Sequence, residues 1–239
     1  MRDDSGIVEP ESWTSPLVLA TLILGVATFM VATIAAWRDL IREWLRHPDL
    51  RLTVTDRPPD SHKTAMTMSG PTIGTLLSAD CYYMRLLVEN SGAVRATDVQ
   101  LYADRLERRR ADGTFGLVAR FLPMNLMWSN LGSPYAAIQP GAKRHCDLAH
   151  IIDPARRGVF PGEDDPAIGA DLTILSFDLE VKANTLGHLA EPGIYRLALL
   201  LSSAERRPRS YVIEINHTGQ WFSDERTMLS QGIGISLVP

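Results

Sequence analysis

Between Glu11 and Arg38 the chain carries no charged residue, and from Leu17 to Trp37 it reads LVLATLILGVATFMVATIAAW. At ~1.5 Å of rise per residue, ~20 such residues cross the ~30 Å hydrocarbon core of a bilayer as one helix. A cleaved signal peptide would need a basic start and a shorter apolar stretch, whereas this chain begins MRDDSGIVEPES. A buried core helix would carry polar residues on one face, and only Thr21, Thr28 and Thr33 interrupt the run. The reading is therefore an acidic tail (1–15), a transmembrane helix (16–37), a juxtamembrane helix (38–48) and a soluble domain (49–239).

The flanks orient the span. Its amino side has only Arg2, while Arg38, Arg42, Arg46 and Arg51 follow it closely, so the positive-inside rule places the amino terminus outside and the large domain in the cytoplasm of a single-pass cell-membrane protein. Trp37, Leu40, Ile41, Trp44 and Leu45 continue at helical spacing with Arg and acidic residues between them. The indole rings suit the membrane interface and the guanidiniums suit lipid headgroups, which makes Trp37, Arg38, Arg42, Trp44 and Arg46 the candidate interface residues. Packing of the same face on the soluble domain is the competing reading. Pro48 ends the helix, because the residue before a proline is pushed out of the α region.

The roughly 190 residues beyond the span are enough for one domain with its own core. Alternation replaces helical spacing there: 50–55, 82–88, 99–103, 143–152, 173–181, 195–201 and 211–215 read as strands, with shorter ones at 115–121, 126–128, 136–138 and 233–238. Residues 60–80, rich in Ser, Thr, Gly and Met, read as a loop or weak strand, 153–171 as a Pro/Gly/Asp loop, and 223–230 as a short helix. Many short strands separated by turn residues predict a mainly β, antiparallel sandwich of the immunoglobulin-like type behind the single helix.

Val88-Glu-Asn90-Ser-Gly92, followed by Ala96, Val99 and Leu101, resembles the V-x-N-x-G-x-x-x-A-x-x-V-x-L signature of bacterial immunoglobulin-like modules of the CARDB type. The resemblance covers some twenty residues and marks a strand–turn–strand unit. It implies an Ig-like sandwich used for binding or assembly. The chain as a whole resembles bacterial single-pass membrane proteins with a β-rich domain after the span.

Residues that could carry chemistry have structural readings beside them. His47-Pro48-Asp49 matches the tripeptide of J-domain co-chaperones, but the helical hairpin that motif needs is missing from the pattern, so it reads as a helix stop. His145, Cys146, Asp147 and His150 crowd one strand. Strict alternation puts His145 and Asp147 on one face with Cys146 and His150 on the other, and no partner motif completes a tetrahedral metal set. Glu163-Asp164-Asp165 with Asp171 lacks the alternating spacing of an EF-hand loop and reads as a solvated acidic loop. Arg108-Arg109-Arg110 and Arg206-Arg207-Pro208-Arg209 read as solvated strand ends, or as contacts for anionic lipid or an acidic partner. Cys81 and Cys146 are two buried thiols if the domain is cytosolic, or one bridge if it is exported.

With a net charge of −4, no nucleic acid is expected as a partner. The expected function is a membrane-anchored, non-catalytic binding or assembly module without a cofactor, its partners the lipid bilayer and another protein. An exported envelope sandwich binding an extracytoplasmic ligand or protein is the alternative.

Overall fold

The computed structural model describes residues 16–45, 47–70, 72 and 74–238, and divides the chain into a helical unit ending at Arg46 and a β unit beginning at His47. The helix, α1 (Pro16–Leu45), runs thirty residues without a break. Its stretch Pro16–Arg38 is long and apolar enough to cross a membrane. The three threonines that interrupt the run do not expose a free hydroxyl. Thr21, Thr28 and Thr33 each donate to the carbonyl four residues earlier, at 2.7–2.8 Å. A hydroxyl satisfied within its own helix removes much of the cost of placing it in hydrocarbon.

The β unit is a sandwich of two antiparallel sheets, each built on one long strand. In the first sheet β1 (Leu50–Thr53) and β2 (Ser61–Ser69) lie end to end along one edge of β3 (Leu76–Asn90). The second sheet repeats that plan around β4 (Ala96–Arg109), with β5 (Phe115–Leu117), β6 (Met124–Asn125) and β7 (Ala136–Ile138) in tandem on one edge. The other edge of β3 pairs with β8 (Lys143–Ile152), which continues through β9 (Leu175–Phe177) to β10 (Leu189–Ala190). The other edge of β4 pairs with β11 (Gly193–Ser203), then β12 (Arg206–His217) and β13 (Ile233–Leu237). Short helices fill two connections, α2 (Pro154–Arg157) and α3 (Glu225–Thr227), the latter running into one π-turn at Met228–Gly232.

Alternation supplies the core. Tyr82, Met84, Leu86 and Val88 from the first sheet meet Leu101, Leu197, Leu199, Ile213 and Ile215 from the second, all essentially without solvent contact. Fully burying a side chain of this size contributes roughly 1.5–3 kcal/mol. One departure from the sequence reading is residues 60–80, which form the outer part of a β2–β3 hairpin. Of β2 only Ser61 is buried, so no apolar alternation marks the segment as a strand. The bases of the two sheets are also linked by side chains there: the Lys63 N–H donates to the Glu225 carboxylate at 2.6 Å, and the Tyr82 hydroxyl to the Phe222 carbonyl at 2.9 Å.

On the opposite side the main chain itself joins the sheets. Residues 124–129 leave β4 and reach the first sheet: Leu126 N donates to Leu101 O at 2.8 Å, Asp147 N to Met127 O at 2.8 Å, and Ser129 N to His145 O at 3.1 Å. Trp128, 1% exposed, sits in this seam and directs its indole N–H to the Val99 and Pro134 carbonyls.

The turn that carries the N-x-G signature takes the chain from one sheet to the other. Asn90 is fully buried, and all its amide capacity is used. Its Oδ1 accepts from Asp49 N and Gly92 N, and its Nδ2 donates to the Val94 and Ile138 carbonyls, at 2.8–3.2 Å. Gly92 lies against the entering chain. A Cβ there would come within 2.3 Å of Asp49 N and 2.4 Å of His47 O. The His-Pro-Asp tripeptide thus has a definite place: it docks the start of the β unit on the crossover, with the Asp49 carbonyl accepting from Ser91 N at 2.9 Å. Asn90→Ala is expected to lower stability by roughly 2–4 kcal/mol, from several small net bonds and the groups they leave unpaired. Gly92→Ala should cost about 1–3 kcal/mol by overpacking. Urea unfolding followed by tryptophan fluorescence measures both.

Candidate functional site

Among the described residues the densest group of ionisable side chains lies on the outer face of the first sheet, beneath residues 153–171. Its centre is His150, which is fully buried. Nδ1 meets Asp178 Oδ1 at 2.9 Å and Nε2 meets Glu163 Oε2 at 3.1 Å. The other Glu163 oxygen is held by Lys182. The tilted Tyr83 ring lies 5.3 Å from the imidazole.

A β-bulge makes this possible. Met84 pairs with Ala149 and Arg85 with Asp147, so Leu148 is an extra residue on β8 and the alternation shifts by one. Cys146, Leu148, Ala149 and Ile151 belong to the inner core, whereas Ile152 packs outside with Ala79, Cys81 and Phe160. The expectation that Cys146 and His150 share a face is therefore corrected. His150 joins Asp147 on the outer face and Cys146 stays inside. His145 turns to Asp60 at 3.0 Å.

The acidic run is likewise corrected from a solvated loop to a set of clasps. Glu163 and Asp165 are only 3% and 5% exposed. Each carboxylate turns to a different cation: Glu163 to His150 and Lys182, Asp164 to Arg157 at 2.7 Å, and Asp165 to Arg120 at 2.9 Å. Arg157, buried itself, also donates to the Leu172, Ile168 and Gly169 carbonyls, filling the inside of the loop. Because these carboxylates diverge, they do not form a calcium cage, and among the described residues no group of three His, Cys, Asp or Glu side chains is arranged to hold a metal ion.

The electrostatics follow the geometry. Burial alone pushes the His150 imidazole down, and the charges and hydrogen bonds of Asp178 and Glu163 more than reverse it, lifting the pKa to about 9. Burial pushes Glu163 up, but His150 and Lys182 draw it down to about 2. His150 is thus an imidazolium with both N–H groups committed, leaving neither nitrogen to take up a proton or ligate a metal. Burial also holds His217 neutral, at about 4, with Nε2 2.7 Å from the Thr173 hydroxyl. Desolvation raises both thiols. Cys81 and Cys146 are free, buried and on opposite faces of the sheet, so they cannot bridge without rebuilding it.

Of the residues singled out for the membrane interface, Trp37 is 65% exposed and Arg38 is exposed on α1. The side chains of Arg42 and Trp44, and Arg46 altogether, lie outside the described residues. Asp178 and Lys182 escaped the sequence reading. They sit 28 and 32 positions beyond His150 in an ordinary mixture of residues, and only the bulge and the folded-over loop bring them together.

No family model, curated protein or solved structure matches this chain. The arrangement itself describes a structural clasp: ion pairs made by the buried carboxylates Glu163 and Asp165 fasten a long loop over the outer face of a sheet.

The raised His150 pKa contributes stability that is complete below the ordinary value of 6.5 and is lost as pH climbs through about 9. The lowered Glu163 pKa contributes stability that is complete above 4.5 and is lost as pH falls towards about 2. Proteolysis of residues 153–171 should therefore be slowest between those limits and accelerate on either side. His150→Gln takes the shared partner from Glu163 and Asp178, leaving Glu163 only Lys182, an expected loss of about 3 kcal/mol. In that variant the alkaline acceleration should disappear.

Proposed function

We propose that this protein is a single-pass membrane protein whose β-sandwich serves as a non-catalytic binding or assembly module on the cytoplasmic side, with a protein partner. The observation that carries the reading is α1, with a stretch of 23 residues long and apolar enough to span a bilayer and three threonines bonded inward. The excess of arginine after the span supports the orientation. Two free buried thiols agree with a reducing compartment. The binding role is supported by the resemblance of residues 88–101 to CARDB-type modules, and by the engagement of the most ionisable part of the sandwich in holding its own loop.

Orientation is tested with an added thiol, because both native ones are shielded. Ala111 is exposed in the turn between β4 and β5. An Ala111→Cys variant is expected to react with a membrane-impermeant maleimide only after lysis. Labelling in intact cells would place the sandwich outside and favour the exported reading. Pull-down of the crosslinked full chain from membranes should bring a protein with it. Recovery of lipid and this chain alone would argue against an assembly role.

A further inference from the structure

We infer that the end of the sandwich where the chain enters is a docking face for anionic lipid headgroups. This rests on the membrane-anchored reading and adds a second, electrostatic contact to it. The entry segment, Pro48, Asp49 and Leu50, shares a shallow groove with Arg206, Arg207 and Arg209 of the β11–β12 turn. Arg209, itself exposed, turns onto the entry segment, donating to the Leu50 carbonyl at 3.2 Å and lying 3.6 Å from Asp49. Arg206 and Arg207 make no such contact. Both are exposed, and like the exposed Arg95 on the neighbouring crossover they have no ion-pair partner among the described residues.

Neither of the nearby carboxylates forms an ion pair with Arg206 or Arg207. Glu205, the acidic residue of the same turn, is turned onto Thr97 and accepts its N–H at 3.0 and 3.1 Å. Asp49 is taken by Arg51, Ser91 and Arg209. A chain of net charge −4 therefore gathers guanidiniums that outnumber Asp49 and Glu205 at the end of the sandwich that follows the anchor in sequence by two residues. Guanidinium is the group suited to bidentate phosphate contact, and each one near an anionic leaflet adds attraction that fades within a Debye length. Residues 206–211 of β12 lack the partner that covers 212–217, so the arginines also suit an open edge; a guard against strand pairing has no dependence on lipid charge.

The test uses the full chain in nanodiscs of phosphatidylcholine alone or mixed with phosphatidylglycerol, with amide hydrogen exchange as the readout. On the anionic discs, exchange across 201–209 and 92–97 should slow roughly tenfold, the order expected of two exposed arginines at an anionic surface, and the slowing should vanish in high salt. Arg206→Gln with Arg207→Gln should abolish it, while Arg109→Gln with Arg110→Gln should leave it intact. Equal exchange on the two kinds of disc, or slowing that survives the Arg206/Arg207 change, overturns the proposal. Release of the protein from vesicles by alkaline carbonate would sink the anchor and this face together. Resistance to the wash with indifference to headgroup charge would sink this face alone.

Discussion

The amide of Asn90 fixes the relation between the two sheets. β3 and β4 are the spines of opposite layers, and the five-residue crossing between them is held by one side chain that spends both lone pairs and both protons on main chain. Two of those bonds reach outside the crossing, to the entering chain at Asp49 and to the end of β7 at Ile138. The same group therefore sets where the β unit starts, where it crosses, and where the second layer's tandem edge begins. A buried amide with any one of these missing would be costly, so the position tolerates one geometry.

A different logic governs the loop of residues 153–171. Its attachment is ionic and mostly dry, and desolvating charges costs several kcal/mol per ion before any attraction is counted. Such pairs add little net stability but punish every alternative placement of the loop, since each misplacement strands a buried charge. His150 and Arg120 each hold a separate point along the loop from outside it, and Arg157, itself a loop residue, ties its two halves to each other. Together they determine its path over the sheet where a thin apolar cluster of Ala79, Cys81, Ile152 and Phe160 would not.

What the sequence revealed depended on whether a segment had a core to face. β7 and β8 fall on the residues that alternation picks out, and β13 nearly so, because each presents one face to a continuous apolar interior. β2 has no such face and left no period to read. The bulge at Leu148 was invisible for a related reason: Leu148, Ala149 and Ile151 are all apolar, so a slip of one residue changes nothing in the pattern while moving His150 to the other side. The acidic run looked solvated because three of its four cations, Arg120, His150 and Lys182, come from separate segments outside the loop, a convergence that spacing along the chain does not encode.

The seam at residues 124–129 gives the sandwich a spine. Along that side the layers share peptide hydrogen bonds and the Trp128 indole, while along the other they meet through side chains such as Arg209 on Leu50 and Glu225 on Lys63. Such a body is stiff to shear and splaying along its bound side and compliant along its unbound one. Its softest motion is the lifting of a book cover, with Trp128 at the binding. Any load transmitted through the entering chain at Asp49 arrives at the crossover between the layers, where Asn90, Ser91 and Ala93 hold it.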